Sequence, residues 1–181
     1  QAVISYDPAT GKELWKVLHR GWSLAPRPVF GHGFAYVIMD HDRPELWAIR
    51  PDGKGDVTRS HIAWKQKRGM PSRSSPLLVD DLLFVVNHDG IATCLDAKTG
   101  ELIWKNRLKG DYSASLLQAR GRIYFFNEDS TCTIVRAARK YEILGTNSLD
   151  GERLMASPAA AGNSLYVRTE GHLYRIEKSP R

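Results

Sequence analysis

Two stretches of this chain superpose residue on residue, and that repetition limits the folds open to it more than any other feature. Ser5-Tyr6-Asp7-Pro8-Ala9-Thr10-Gly11-Lys12-Glu13-Leu14-Trp15 lies over Cys94-Leu95-Asp96-Ala97-Lys98-Thr99-Gly100-Glu101-Leu102-Ile103-Trp104. The shared frame is Asp-x-x-Thr-Gly-x-x-x-Trp. A third copy is stretched: Trp47 and Ile49 lead into a longer turn, 50–61, and then into Ile62-Ala63-Trp64. A fourth is decayed, running from Thr133-Ile134-Val135 to Tyr141-Glu142-Ile143-Leu144, with Leu144 in the tryptophan's place. Successive spacings of 49, 40 and 40 residues fall in the range of propeller blades.

A second element repeats in step with the first. Ser74-Ser75-Pro76, Ser113-Ala114-Ser115 and Ala156-Ser157-Pro158 each precede a short run rich in Leu, Ile, Val, Tyr and Phe, and Ala25-Pro26-Arg27-Pro28 does the same. Turn residues separate runs of four to eight residues: Gly31-His32-Gly33, Asp80-Asp81 and Arg120-Gly121, then His88-Asp89-Gly90 and Glu128-Asp129-Ser130. No amphipathic helical period interrupts them. The pattern predicts an all-β chain of four-stranded antiparallel blades, a β-propeller. About four blades are expected: the end of one at 1–22, whole ones at 23–68, 69–109 and 110–150, and a partial one at 151–181. A larger ring of seven or eight blades would hold these, with the remaining blades supplied by the parent chain.

The repeated residues have structural roles in such a blade. Asp7, Thr10 and Gly11, like Asp96, Thr99 and Gly100, suit a tight turn whose side chains bond local backbone N–H groups. Trp15, Trp64 and Trp104 are expected to dock each blade on the next, since an indole buries about 150–250 Å².

Composition sets outer limits. No apolar run approaches the ~18 residues of a membrane-spanning helix. The net charge of +6 comes from cations spread along the chain, without the block that would favour specific nucleic-acid binding. Cys94 and Cys132 are too few for a disulfide framework. Residues 1–6 already read as a strand, so an export signal is expected outside this stretch.

With its small residue two places before the Asp, the frame resembles the docking motif of the pyrroloquinoline-quinone-like, or quinoprotein-type, propeller repeat. The last segment, Gly121-Arg122-Ile123-Tyr124-Phe125-Phe126-Asn127 through Met155-Ala156-Ser157-Pro158 to His172-Leu173-Tyr174-Arg175-Ile176-Glu177, resembles the C-terminal part of exported bacterial outer-membrane-assembly-factor-like propellers. The resemblance implies a periplasmic or otherwise exported protein. It also raises the alternative of a pyrroloquinoline-quinone- and calcium-dependent alcohol or sugar dehydrogenase. Such enzymes hold calcium with carboxylate and amide oxygens and often carry a vicinal disulfide. This chain has no Cys-Cys pair, its acids sit in turns, and only Trp22 and Trp47 stand outside the docking set.

Other chemistry finds little footing. His41-Asp42, His88-Asp89 and Glu170-Gly171-His172 recur at equivalent turns, which are too far apart for one ion with ~2.1 Å bonds. The serines of Ser74-Ser75-Pro76 recur in blade after blade, and no Gly-x-Ser-x-Gly elbow exists. Gly53-Lys54-Gly55 lacks a phosphate-loop context. A glycan-binding or glycan-cleaving site would need a carboxylate pair facing one pocket. The long turn 50–61 is expected to project and carry recognition. Arg68, Arg73, Lys109 and Tyr112 fall between blades, and Arg73 and Tyr112 are the candidate partner contacts. The expectation is a non-catalytic scaffold for protein–protein contacts, leaning against an enzyme. No catalytic, cofactor or metal residue is assigned, and pyrroloquinoline quinone and calcium belong to the alternative alone.

Overall fold

The computed structural model describes residues 1–22, 25–149 and 151–177. Positions 23, 24 and 150, at the edges of the expected blades, and 178–181, assigned to the last one, lie outside the described residues. Within them the strands form five sheets, antiparallel except for one short edge strand of the first, and no helix is long and apolar enough to cross a membrane. The first sheet joins β1 (Ala2–Tyr6) and β2 (Glu13–Leu18). The second runs β3 (Val29–Gly31), β4 (Phe34–Met39), β5 (Glu45–Ile49) and β7 (Ile62–Gln66). The third runs β8 (Leu77–Val79), β9 (Leu82–Val86), β10 (Ile91–Asp96) and β11 (Leu102–Arg107). The fourth runs β12 (Leu117–Ala119), β13 (Arg122–Phe126), β14 (Thr131–Arg136) and β15 (Ile143–Ser148). The last holds β16 (Ala159–Ala161), β17 (Ser164–Arg168) and β18 (Leu173–Glu177). The short strands β3, β8, β12 and β16 adjoin one another in that order, giving the radial arrangement of a propeller.

Local chemistry explains the repeat. Asp7 Oδ1 accepts from the backbone N–H groups of Ala9 and Thr10 at 2.8 and 3.0 Å, and Asp96 Oδ1 accepts from Lys98 and Thr99 at 3.0 and 3.2 Å. Gly11 and Gly100 then close each turn by donating to the Asp carbonyl at 2.8 Å. Both sit at positive φ, 69° and 75°, where a side chain is strained. Beyond the turn a bulge shifts the register between the third and fourth strands, at Ser5/Tyr6, Ala48/Ile49, Cys94/Leu95 and Ile134/Val135. His32-Gly33 and Arg120-Gly121 have positive φ at both positions, the mirror-image turn that matches strand twist in a two-residue hairpin.

The core lies between sheets, because the three middle sheets carry apolar side chains on both faces. Trp15 and Val17 of β2 meet Val37, Met39, Trp47 and Ile49 in the first joint. Tyr36, Ile38 and Ala48 meet Leu83, Val85 and Leu95 in the second, with Trp64 packed alongside. Phe84, Cys94 and Trp104 meet Ile123, Phe125 and Val135 in the third. Phe126, Cys132 and Val167 share the fourth.

Each docking tryptophan reaches the turn of the sheet that follows. Trp104 Nε1 donates to Ala138 O at 3.1 Å, and its ring stands 5.1 Å from Tyr141. The Trp64 ring covers Gly100, where an added Cβ would come within 2.6 Å of Cδ2 and Cε3. Trp15 meets the long turn, pairing with Gly55 of a two-residue strand, β6 (Gly55–Asp56).

Two sequence expectations are corrected here. The turn 50–61 does not project: β6 adds in parallel to the outer edge of β2, Val57 N–H donates to Lys16 O at 2.9 Å, and Leu18 N–H donates to Thr58 Oγ1 at 2.8 Å. The insertion covers an edge and buries Val57. The tryptophan position of the fourth copy is Gly145, not Leu144. Ser5, Ala48 and Cys94 pair across the ladder with Trp15, Trp64 and Trp104, and in that register Ile134 pairs with Gly145.

Candidate functional site

The inner edge carries a hydrogen-bond ladder that the sequence did not announce. Arg27 N–H donates to Ser75 Oγ at 2.9 Å, Ser75 N–H to Ser115 Oγ at 3.0 Å, and Ser115 N–H to Ser157 Oγ at 3.0 Å. One serine per blade thus satisfies the neighbour's otherwise unpaired N–H, which accounts for the recurrence of Ser. Its recurrence in step was the visible signal. With Gln118 and the prolines, these residues line a depression of about 500 Å³.

On the face that carries the inter-blade connections, backbone bonds draw three elements together. Tyr112 N–H donates to His88 O at 2.8 Å, Glu128 N–H to Asp111 O at 2.8 Å, and Leu154 N–H to Glu128 O at 3.0 Å. Asn87 and Asn127 shape the adjoining turns, their Oδ1 atoms accepting from Ile91 and Thr131 N–H at 2.8 and 2.7 Å. This lattice brings Arg73, His88, Ser113, Glu128 and Arg153 into one polar cluster.

Glu128 is its centre. Its carboxylate, with the side chain only 14% exposed, accepts from Ser113 Oγ at 2.5 Å and from Arg153 Nη2 at 3.1 Å. Arg73 Nη1 bonds Ser113 Oγ at 3.2 Å and lies 3.7 Å from the same carboxylate. His88 Nδ1 stands 4.0 Å away, beyond hydrogen-bond reach. The Ser113 hydroxyl, then the Arg153 guanidinium, hold the Glu128 carboxyl below the usual range against the opposing effect of burial. Both guanidiniums remain about half exposed above it, so two fixed cations face solvent over one partly buried anion. A second carboxylate on this side, Glu152, accepts from Thr169 Oγ1 at 2.5 Å, from Gly171 N–H at 3.1 Å and lies 3.0 Å from His172 Nδ1. The Thr169 bond and then His172 keep its carboxyl low.

The two candidate partner contacts part company. Arg73 is exposed in this cluster. Tyr112 is 1% exposed, its hydroxyl donating to Lys109 O at 3.2 Å, and burial pushes the phenol up to about 12. Its ring packs with Trp104 and Phe125, so it supports the connection from beneath and offers no surface to a partner. Sequence reasoning missed Glu128 and Arg153, which its own turn signal and position after a blade marked only as loop. Of the two spare tryptophans, Trp47 is core, with Nε1 on Glu45 Oε2 at 2.8 Å and Lys65 Nζ 3.5 Å over its ring. Trp22 is exposed, with Nε1 on Asp42 Oδ2 at 3.0 Å.

Among the described residues no three His, Cys, Asp or Glu side chains converge to hold a metal ion. Cys94 and Cys132 are buried in different joints, and burial pushes both thiols up to about 12.

The profile of the family described as outer membrane protein assembly factor BamB matches residues 1–177. No match to a curated protein is found. Among solved structures, BamB from Moraxella catarrhalis superposes with a TM-score of 0.74 at 16% identity, over 97% of this chain and 52% of its own. The chain therefore spans about half the length of that protein. The computationally designed Ika4 protein superposes with a TM-score of 0.66 at 13% identity, over 93% of this chain and 99% of its own. A europium-containing methanol dehydrogenase superposes with a TM-score of 0.55 at 13% identity, over 69% of this chain and 24% of its own. At these identities the likeness is one of fold.

Proposed function

This chain belongs to the family of outer membrane protein assembly factor BamB, and from that premise we propose that it is a non-catalytic scaffold of the bacterial cell envelope that docks a protein partner. The observation that carries the reading is the pair Arg73 and Arg153, immobilised over Glu128 and Ser113 on the connection face. Guanidiniums held in place lose little freedom on binding, and their planar donors suit carboxylates. The partner is an exported protein that presents acidic side chains. The blades present the pair without moving, and no resident cofactor is required.

The test uses a photo-crosslinking residue in the full-length protein, placed at Asp111 or at Lys98. Asp111 is exposed beside the cluster, its carbonyl accepting from Glu128 N–H, and Lys98 is exposed in the Asp96–Gly100 turn at the opposite ends of the strands. Crosslinks to an envelope protein from position 111 alone, weakened about tenfold or more by Arg153→Glu, are expected. Equal capture from position 98, or none from 111, sinks the proposal. The dehydrogenase alternative predicts saturable binding of pyrroloquinoline quinone with calcium in a calorimetric titration, and the scaffold reading predicts none.

A further inference from the structure

The fourth joint departs from the other three at one ladder pair. In the second and third joints an aromatic ring of the second strand supports the indole: Tyr36 under Trp64 and Phe84 under Trp104, each pair with centroids 5.8 Å apart. Register makes Tyr124 the equivalent of Tyr36 and Phe84, since Val29, Leu77 and Leu117 pair with these three residues in turn. Gly145 occupies the indole's position over Tyr124. A Cβ built there meets nothing within 4 Å, and the residue is not among the glycines of positive φ. Ile134, opposite Gly145, replaces the small residues that face the tryptophans, but it does not fill the space. A cleft of about 370 Å³ opens beside Tyr124 and Ile134, lined also by Phe126 and Cys132 on the same wall and by Leu165 and Ile176 on the other.

We infer that this cleft is a binding site for one small planar aromatic molecule of about indole size. The other joints of the same chain show what such a wall pair accepts, and the volume lies within the ~300–1,000 Å³ of small-molecule sites. Apolar cavities bind apolar rings because empty ones forgo the dispersion contacts of their lining. Asn147 at the rim supplies the polar group that a ring N–H needs, the part played for Trp104 by Ala138 O. The site is separate from the cation cluster and does not depend on its role.

Indole titrated into the full-length protein tests this by backbone and methyl NMR. Saturable shifts are expected at Tyr124, Ile134, Leu165 and Ile176, with a dissociation constant on the order of 10⁻⁴–10⁻³ M. Gly145→Trp should fill the seat, raise the melting temperature and abolish the shifts. Should that variant not fold, Gly145→Leu serves, with binding weakened at least about fivefold. Absence of saturable shifts in the wild-type protein overturns the inference. So does indole binding that persists unchanged in the filled variant.

Discussion

The third and fourth joints are built from the same sheet positions and pack differently because of one ladder pair. In the third, Cys94 is small where it faces Trp104, and the indole lies among Phe84, Tyr141 and the Ala138 carbonyl. In the fourth the sizes are exchanged: Ile134 faces Gly145, and a cleft opens beside Tyr124 and Ile134. Exchanging large for small across one ladder pair preserves part of the volume but not its position. A branched four-carbon side chain rising from β14 cannot reach where a nine-atom ring rising from β15 would lie. A propeller joint is therefore set less by its total apolar content than by which strand supplies the large side chain.

The largest test of this comparison converts one joint into the other. Trp104→Ala removes the indole that is 8% exposed, together with its hydrogen bond to Ala138, and should destabilise the protein by about 3–5 kcal/mol in a urea melt. It should also open a second aromatic seat, so that indole shifts spread to residues around Phe84. A loss below about 1 kcal/mol would mean that the third joint does not depend on its tryptophan.

A smaller effect is expected at Gly100, on the receiving side of the Trp64 contact. Gly100→Ala combines positive-φ strain with a Cβ only 2.6 Å from the indole, and should cost about 1–3 kcal/mol. Wild-type-like melting with an unchanged Trp64 fluorescence spectrum would show that the turn and the ring are not in contact.

The connection face gives a pH signature that the joints lack. The folded-state carboxyl of Glu128 lies below its usual value, so its ionised form contributes stability that is full above the unfolded value of about 4.3. That contribution is lost as pH falls through the depressed folded value. Glu128→Gln should flatten the decline in melting temperature below about pH 4.3, whereas the cysteine thiols of the joints, raised to about 12, are silent there. Parallel pH curves for the two proteins would place the acid sensitivity elsewhere, with Asp96 the first alternative. There Arg139 and two backbone N–H groups outweigh the upward effect of burial.

What the sequence made legible follows from how each feature is encoded. The blades were readable because the turns at Asp7–Gly11 and Asp96–Gly100 each need their own Asp, Thr and Gly, and these stand close together in the chain. The Gly145 substitution was readable in principle: Glu142-Ile143-Leu144-Gly145 matches Glu101-Leu102-Ile103-Trp104 position for position. A constant 40-residue step misplaces it by one, because the fourth copy's turn differs in length before the bulge. The fold-back of 50–61 and the cluster around Glu128 were not readable. Each rests on contacts between residues 15 to 55 positions apart, and nothing in Arg73 or Arg153 alone names a common partner. Tyr112 was misread for a related reason: a position in a connection says nothing about whether the ring turns out or under.

The smallest effect carries the sharpest sign. Gly145 lies in the interior of a strand, without positive φ and with open space at the Cβ position. Alanine there restricts the unfolded chain and adds no clash, so Gly145→Ala should raise stability by about 0.5–1 kcal/mol. Glycine to alanine thus changes sign between Gly100, which lies under an indole, and Gly145, which lies where an indole is missing. The pair is measured in one set of denaturant melts, and the backbone-entropy gain common to both substitutions leaves the local space and φ to set the difference. If Gly145→Ala destabilised the protein, the space over Tyr124 would have to be occupied already. The contrast between the third and fourth joints would then reduce to which group fills the seat, not whether it is filled.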